Sequence, residues 1–258
     1  MSRRFTIGVI GTGHLASAVI EGMMQTENQY SFILSPRNEK RSEDLDKKYP
    51  RCRKARSSQE VLEVCDAAIL SVPPSEYGVV AGEVRWPFRL PMLSFLVGVD
   101  THRLKEAFGC NQVFRILPFP SASLSESPTL LYPDAEPARS ICEMMGEVIP
   151  LKSEEEFDLY TGVTPLAGFS YYLMECIQRW CGDSIPVEYP AKIIRSTLSL
   201  YLSQKKQGKD VSTDQFATPG GLTSHAFRVL DSSGMCDMMA SYLDAVWERL
   251  GSIDRKES

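Results

Sequence analysis

The stretch Phe5-Thr6-Ile7-Gly8-Val9-Ile10-Gly11-Thr12-Gly13-His14-Leu15-Ala16 reads as a short, β-rich apolar run that stops at Gly11 and feeds a helix. The helical pattern after it repeats Leu15, Ala18, Val19, Gly22 and Met23 on one face. The turn between the two is G-x-G-x-x-A in strand–turn–helix context, the setting in which that spacing predicts a dinucleotide site. Gly11 permits the tight turn, Gly13 lets backbone approach a pyrophosphate, and Ala16 allows helix and strand to pack closely. The helix N-terminus then presents free N–H groups and the positive end of its dipole. His14 and Leu15 complete the loop.

Outward from this turn the chain alternates. Residues 31–34, 66–72, 92–99 and 113–117 read as further strands, with 130–132 as an added edge strand. The run 66–72 (DAAILSV) is continuously apolar, which suits a parallel sheet buried on both faces. Residues 38–48 and 100–108 read as helices. This pace predicts a doubly wound α/β fold of Rossmann type. Near residue 150 the texture changes. Ser153-Glu154-Glu155-Glu156 is a capping box whose glutamates form a solvated first turn. Helical patterns follow to Trp180, with a break near Pro165 and Gly168, then over 191–207, 223–230 and 236–250, and 253–258 read as a frayed tail. We therefore expect a dinucleotide-binding domain over 1–157 and an all-helical domain over 158–258.

The second strand ends in Ser35-Pro36-Arg37-Asn38, with no carboxylate before Glu39. A hydroxyl and a guanidinium suit a 2′-phosphate, so the expected cofactor is NADP(H), held there by Ser35 and Arg37. A second anion-binding pattern lies at Thr218-Pro219-Gly220-Gly221-Leu222-Thr223, where two glycines open a helix. Its backbone N–H groups and the Thr223 hydroxyl fit a small carboxylate.

Composition narrows the class. The chain has 258 residues and a formal net charge of −5, and the part from Phe157 onward holds 10 basic and 12 acidic residues. Neither half is basic, which argues against nucleic acid as a partner. No apolar run nears the ~18 residues that cross a bilayer, and Met1-Ser2-Arg3-Arg4 opens no signal-peptide pattern. Seven dispersed cysteines without Cys-x-x-Cys read as reduced cytosolic thiols, and three distant histidines argue against a metal site. Trp180 and Trp247, late in their helices, are expected at domain or subunit contacts.

Four segments together resemble the pyrroline-5-carboxylate reductase family. IGVIGTGHLASAVIEGM is similar to that family's IGFIGAGNMAxAIIxG, DAAILSVPP to DVVFLAVKP, RILPFPSA to RVMPNTPA, and FATPGGLTSHAFRVLD to VTSPGGTTIAGLxALE. The resemblance implies NADPH-dependent reduction of a cyclic imine carboxylate, 1-pyrroline-5-carboxylate, to L-proline in cytoplasmic amino-acid biosynthesis. It also implies a homodimer or higher homo-oligomer built on the helical domain, with active sites shared between subunits. Carried over by position, Gly11, Gly13, His14, Leu15 and Ala16 fall on the pyrophosphate loop, and Ser35 and Arg37 near the 2′-phosphate. Ser71, Val72 and Pro74 fall on the turn lining the nicotinamide. Thr218, Gly220, Gly221, Leu222 and Thr223, with Phe119, fall at the substrate, and Thr223 matches the threonine that hydrogen-bonds it. The chain departs from the pattern at Pro73 (Lys in the family), Phe119 (Asn), Leu222 (Thr) and the segment Thr164-Pro165-Leu166-Ala167-Gly168-Phe169-Ser170-Tyr171.

Imine reduction suits a chain with few candidate acid–base groups, because a protonated imine is already electrophilic and needs placement above all. The two-domain β-hydroxyacid dehydrogenases resemble one another in an interdomain-helix Lys that is absent between Phe157 and Trp180. Reductases pairing deazaflavin with NADP share the front domain but lack the TPGG loop. The alternative is an NADP-binding paralogue, a sensor or a reductase of another imine, in which Phe119 and Leu222 are apolar filling.

Overall fold

In this computed structural model residues 4–25 and 29–255 are described. Eight strands make one sheet: β1 (Phe5–Ile10), β2 (Tyr30–Leu34), β3 (Cys52–Lys54), β4 (Ala67–Leu70), β5 (Met92–Ser94), β6 (Val113–Leu117), β7 (Thr129–Tyr132) and β8 (Val148–Pro150). Their order is β3-β2-β1-β4-β5-β6-β7-β8. Pairing is parallel from β3 through β6. Strand β7 runs antiparallel to β6, and β8 runs parallel to β7. In the middle, Ile7 pairs with Phe32 on one side and Ala67 on the other. The helices are α1 (His14–Met24), α2 (Glu39–Lys48), α3 (Ser58–Val64), α4 (Tyr77–Glu83), α5 (Thr101–Phe108), α6 (Ala138–Glu143), α7 (Glu154–Val163), α8 (Leu166–Cys181), α9 (Glu188–Lys206), α10 (Leu222–Ser232) and α11 (Met235–Arg255). The fold is thus a mostly parallel, doubly wound sheet followed by an all-helical region.

Strand alternation splits the core between the two faces of the sheet. Ile7, Val9, Phe32, Leu34 and Ile69 pack with Val19, Ile20 and Met23 of α1 on one face. Ile10, Ile33, Ala68, Leu70 and Met92 pack with Val61 and Leu62 of α3 on the other. With apolar side chains buried on both faces, the central strands read as unbroken apolar runs.

A charged residue lies buried beside this core. Arg115 on β6 is fully buried, with Nη1 2.5 Å from Glu154 and Nη2 2.7 Å from Asp158. Its guanidinium lies 4.2 Å from the centroid of the Phe157 ring. Glu154 also accepts from the Thr101 amide at 3.0 Å, tying the start of α7 to the start of α5. The expected solvated glutamate turn is corrected here, because Glu154 is a partner of a buried cation. The cap itself forms: Ser153 Oγ accepts from the Glu156 amide at 3.1 Å, while the Glu156 carboxylate accepts from the Lys152 amide at 2.6 Å.

Other differences are local. The strand expected over 92–99 ends at Ser94, because the chain turns at Gly98, where φ is +73°. The segment 130–132 is no sheet edge, since β8 lies outside it. The expected frayed tail is helical to Arg255, and Ile253 packs over Gly98. Met1, Ser2 and Arg3, read above as lacking a signal pattern, lie outside the described residues, as do 256–258.

The chain divides into two units. One runs to Thr161 and takes back the chain from Arg249, and the other spans Gly162–Glu248. In the second, no residue over 163–248 is buried. Trp180 is 84% exposed, Tyr171 79% and Leu222 91%. Helices α8, α9 and α10 therefore leave apolar side chains uncovered along their length. Among the described residues no helix is long and apolar enough to cross a membrane.

Burial raises the thiols of the first unit. Cys52 and Cys65 are pushed up to about 12 by desolvation, and Cys142 is raised further by the same cause. A raised folded-state pKa means that only the unfolded chain ionises near 9. The neutral thiols hence favour folding below that pH, and their contribution is lost as pH climbs from about 9 towards 12. Denaturation followed against pH should show stability falling above pH ~9, and Cys52→Ala with Cys65→Ala should flatten that fall.

Candidate functional site

Strand β1 ends at Ile10 and α1 begins at His14, so three residues make the connection. Gly11 adopts φ +92°, and a Cβ built there would lie 2.3 Å from the Ser71 carbonyl oxygen. Both the conformation and the space demand glycine. Gly13 is the N-cap of α1, at φ −84° and ψ −171°, and no side chain caps that helix. A Cβ on Gly13 would meet nothing within 4 Å. The first amides of α1 thus face open space, where an anion satisfies them best.

That space is a cleft of about 380 Å³, walled by 11–13 after β1, by 37–39 after β2, and by 71–73 with Glu76 after β4. It lies at the carboxyl ends of β1 and β4, where the strand order reverses. This is the switch point at which open α/β sheets bind their ligands. The fold brings Gly11, Gly13, Arg37, Ser71 and Val72 to this one cleft. Pro74 opens the short 3₁₀ turn Pro74–Glu76 just beyond.

Several side chains play parts that their sequence positions did not reveal. Ser35 is fully buried, and its Oγ accepts from the Gly11 amide at 3.1 Å, so the hydroxyl holds the glycine turn from inside. Asn38 Nδ2 donates to the Thr12 carbonyl at 3.0 Å, bracing the same loop from β2. Thr12 is fully buried, and its hydroxyl has no partner among the described residues. Ala16 is buried in the core beside β1, and the half-buried Leu15 packs against that core. The exposed His14 has its ring nitrogens 3.2 and 3.3 Å from Arg41 Nη2. Arg37 pairs across the cleft mouth with Glu76 at 3.0 Å. Glu39 pairs with Lys54 at 3.1 Å, and the bond from Glu43 to the same lysine raises the lysine's pKa and lowers the glutamate's. The half-buried Phe119 follows β6, and its amide donates to Ser127 Oγ at 2.8 Å.

The second turn is built like the first. Gly220 takes φ +76°, and the Gly221 amide donates to the Thr218 carbonyl at 2.9 Å, closing the turn. Gly221 is the N-cap of α10 at φ −78° and ψ 172°, again with no side-chain cap. Leu222 and Thr223 are the first two residues of the helix, and Thr218, Gly220, Leu222 and Thr223 are all exposed. Two helices, one in each unit, thus begin on an extended glycine with their first amides open. Among the described residues no cluster of His, Cys, Asp and Glu could hold a metal ion.

Comparison with known proteins gives consistent results. Residues 6–89 match the family model described as NADP oxidoreductase coenzyme F420-dependent. The chain is 25% identical over 249 residues to pyrroline-5-carboxylate reductase 2 of Bacillus subtilis (strain 168), covering 88% of this chain and 87% of that protein. A crystal structure of 1-pyrroline-5-carboxylate reductase from Streptococcus pyogenes superposes with a TM-score of 0.81 at 23% identity, covering 97% of this chain and all of the other. The Plasmodium falciparum pyrroline carboxylate reductase with NADP bound gives 0.79 at 17% identity, over 98% of this chain and 100% of that one.

Proposed function

We propose that this chain is a divergent member of the pyrroline-5-carboxylate reductase family, as its likeness to those reductases over most of its length supports, and that it reduces 1-pyrroline-5-carboxylate to L-proline with NADPH. The observation that carries the proposal is the pair of uncapped, glycine-started helices. One suits a pyrophosphate and the other a substrate carboxylate. The cleft supports this cofactor: Gly11 has no room for a side chain, and Gly13 leaves the space above α1 clear.

NADPH, when bound, supplies the hydride for the C=N carbon. The chain's own residues position and bind. The amides at 14–16 grip the pyrophosphate where Gly13 leaves room for it, Arg37 takes the 2′-phosphate, and Ser71, Val72 and Pro74 border the nicotinamide. Ser35 acts one step back, fixing the Gly11 amide. The turn from Thr218 to Thr223 holds the substrate carboxylate, and the Thr223 hydroxyl orients the ring nitrogen or relays a proton to it from solvent. Phe119 and Leu222 add apolar surface beside the imine. Residues 158–258 form the dimerisation domain of a cytoplasmic homodimer. The uncovered apolar residues of α8, α9 and α10 support this reading, since a second copy would bury them.

NADPH oxidation with 1-pyrroline-5-carboxylate and with its six-membered homologue tests the activity. Thr223→Ala is expected to lower kcat by about 10–100-fold while NADPH affinity stays within about twofold. Heat protection by NADPH without turnover of either imine would favour the binding paralogue instead.

A further inference from the structure

Glu76 was not among the residues marked by the sequence, yet it lines the cleft beside the turn 11–13. Its Oε2 lies 3.0 Å from Arg37 Nη2, with the two side chains 41% and 43% exposed. Two neighbouring charges have other contacts: Glu39 is paired with Lys54, and Arg41 lies against His14. Among the described residues that line the cleft, Arg37 is the one cation, and it is shared with a carboxylate from across the mouth.

We propose that Glu76 sets cofactor preference by competing with the ribose 2′-phosphate for Arg37. The inference rests on the reading above that Arg37 takes this phosphate. A phosphate approaching Arg37 must break the pair or sit within a few ångströms of a second anion, and either outcome weakens NADPH selectively. NADH carries ribose hydroxyls at that place, and a carboxylate accepts from a hydroxyl without penalty. So exposed an ion pair is weak enough to open, and Glu76 therefore narrows the preference for NADPH without abolishing it.

Calorimetric titration with adenosine 2′,5′-bisphosphate and with 5′-AMP tests this without turnover. Glu76→Gln is expected to tighten the bisphosphate about 3–10-fold and to leave 5′-AMP unchanged or weaker. Glu76→Ala, run beside it with melting curves for both, guards against a misfolded variant. Equal tightening of both ligands, or no change in either, overturns the role of Glu76. Arg37→Gln in the wild-type background separates this from failure of the underlying reading. Loss of the bisphosphate but not of 5′-AMP supports Arg37 at the phosphate, whereas an unaltered ratio removes the premise itself.

Discussion

Gly13→Asp should bind NADPH at least about 100-fold more weakly than the parent chain, yet melt at the same temperature or slightly higher. The fold has no objection to the substitution. Gly13 already occupies extended backbone at the N-cap of α1, and a Cβ there touches nothing within 4 Å. Aspartate is among the best N-cap residues, because its carboxylate accepts from the open amides of the first turn and meets the positive end of the dipole. Those same amides are the ones assigned to the pyrophosphate. The side chain would occupy the anion's seat and repel it, and a hundredfold loss corresponds to about 2.7 kcal/mol. Fluorescence titration of NADPH together with thermal melting checks both halves. Gly11→Ala gives the contrast: its Cβ would strike the Ser71 carbonyl, so stability should fall along with binding. Were Gly13→Asp to bind NADPH normally, the cofactor would lie elsewhere.

Arg115→Met is expected to destabilise the first unit by about 3 kcal/mol, the scale for removing one partner of a buried charge cluster. Arg115 is fully buried, whereas Glu154 and Asp158 are partly open to solvent, at 25% and 38%. Without the guanidinium, the two carboxylates at the start of α7 would face each other across an apolar pocket, and the stacking on Phe157 would be lost. Removing Glu154 alone should cost less, about 1–2 kcal/mol, since Asp158 still answers the cation. Chemical denaturation of the three proteins checks the order. Equal stability of Arg115→Met and the parent would mean that this cluster contributes nothing net.

Particular residues show where sequence was a sufficient guide. The β1–α1 turn was legible because G-x-G-x-x-A between an apolar run and a helical repeat leaves few conformations open, and β4 (Ala67–Leu70) was legible because a strand covered on both faces shows as an unbroken apolar run. Strands β3 and β8, only three residues each, carry too little periodicity to register, as do the short helices α3, α4 and α6. Tertiary pairing alone reveals the remainder. By residue type Ser35 suits a phosphate, but the backbone turns its Oγ inward to Gly11. Glu154 looked solvated within a run of three glutamates until β6 brought Arg115 beneath it. Asn38 and Glu76 act on residues 26 and 39 positions away, a reach that no local pattern reports.

Transfer of label is the most direct test of the central proposal, that hydride passes from the nicotinamide to the carbon of a cyclic imine. The protein would be incubated with NADPH deuterated at the transferable position of nicotinamide carbon 4 and with 1-pyrroline-5-carboxylate, and the product examined by mass spectrometry. Proline about one mass unit heavier than the unlabelled compound is the expected result. Unlabelled proline, or none at all while the deuterated cofactor remains intact, would contradict it.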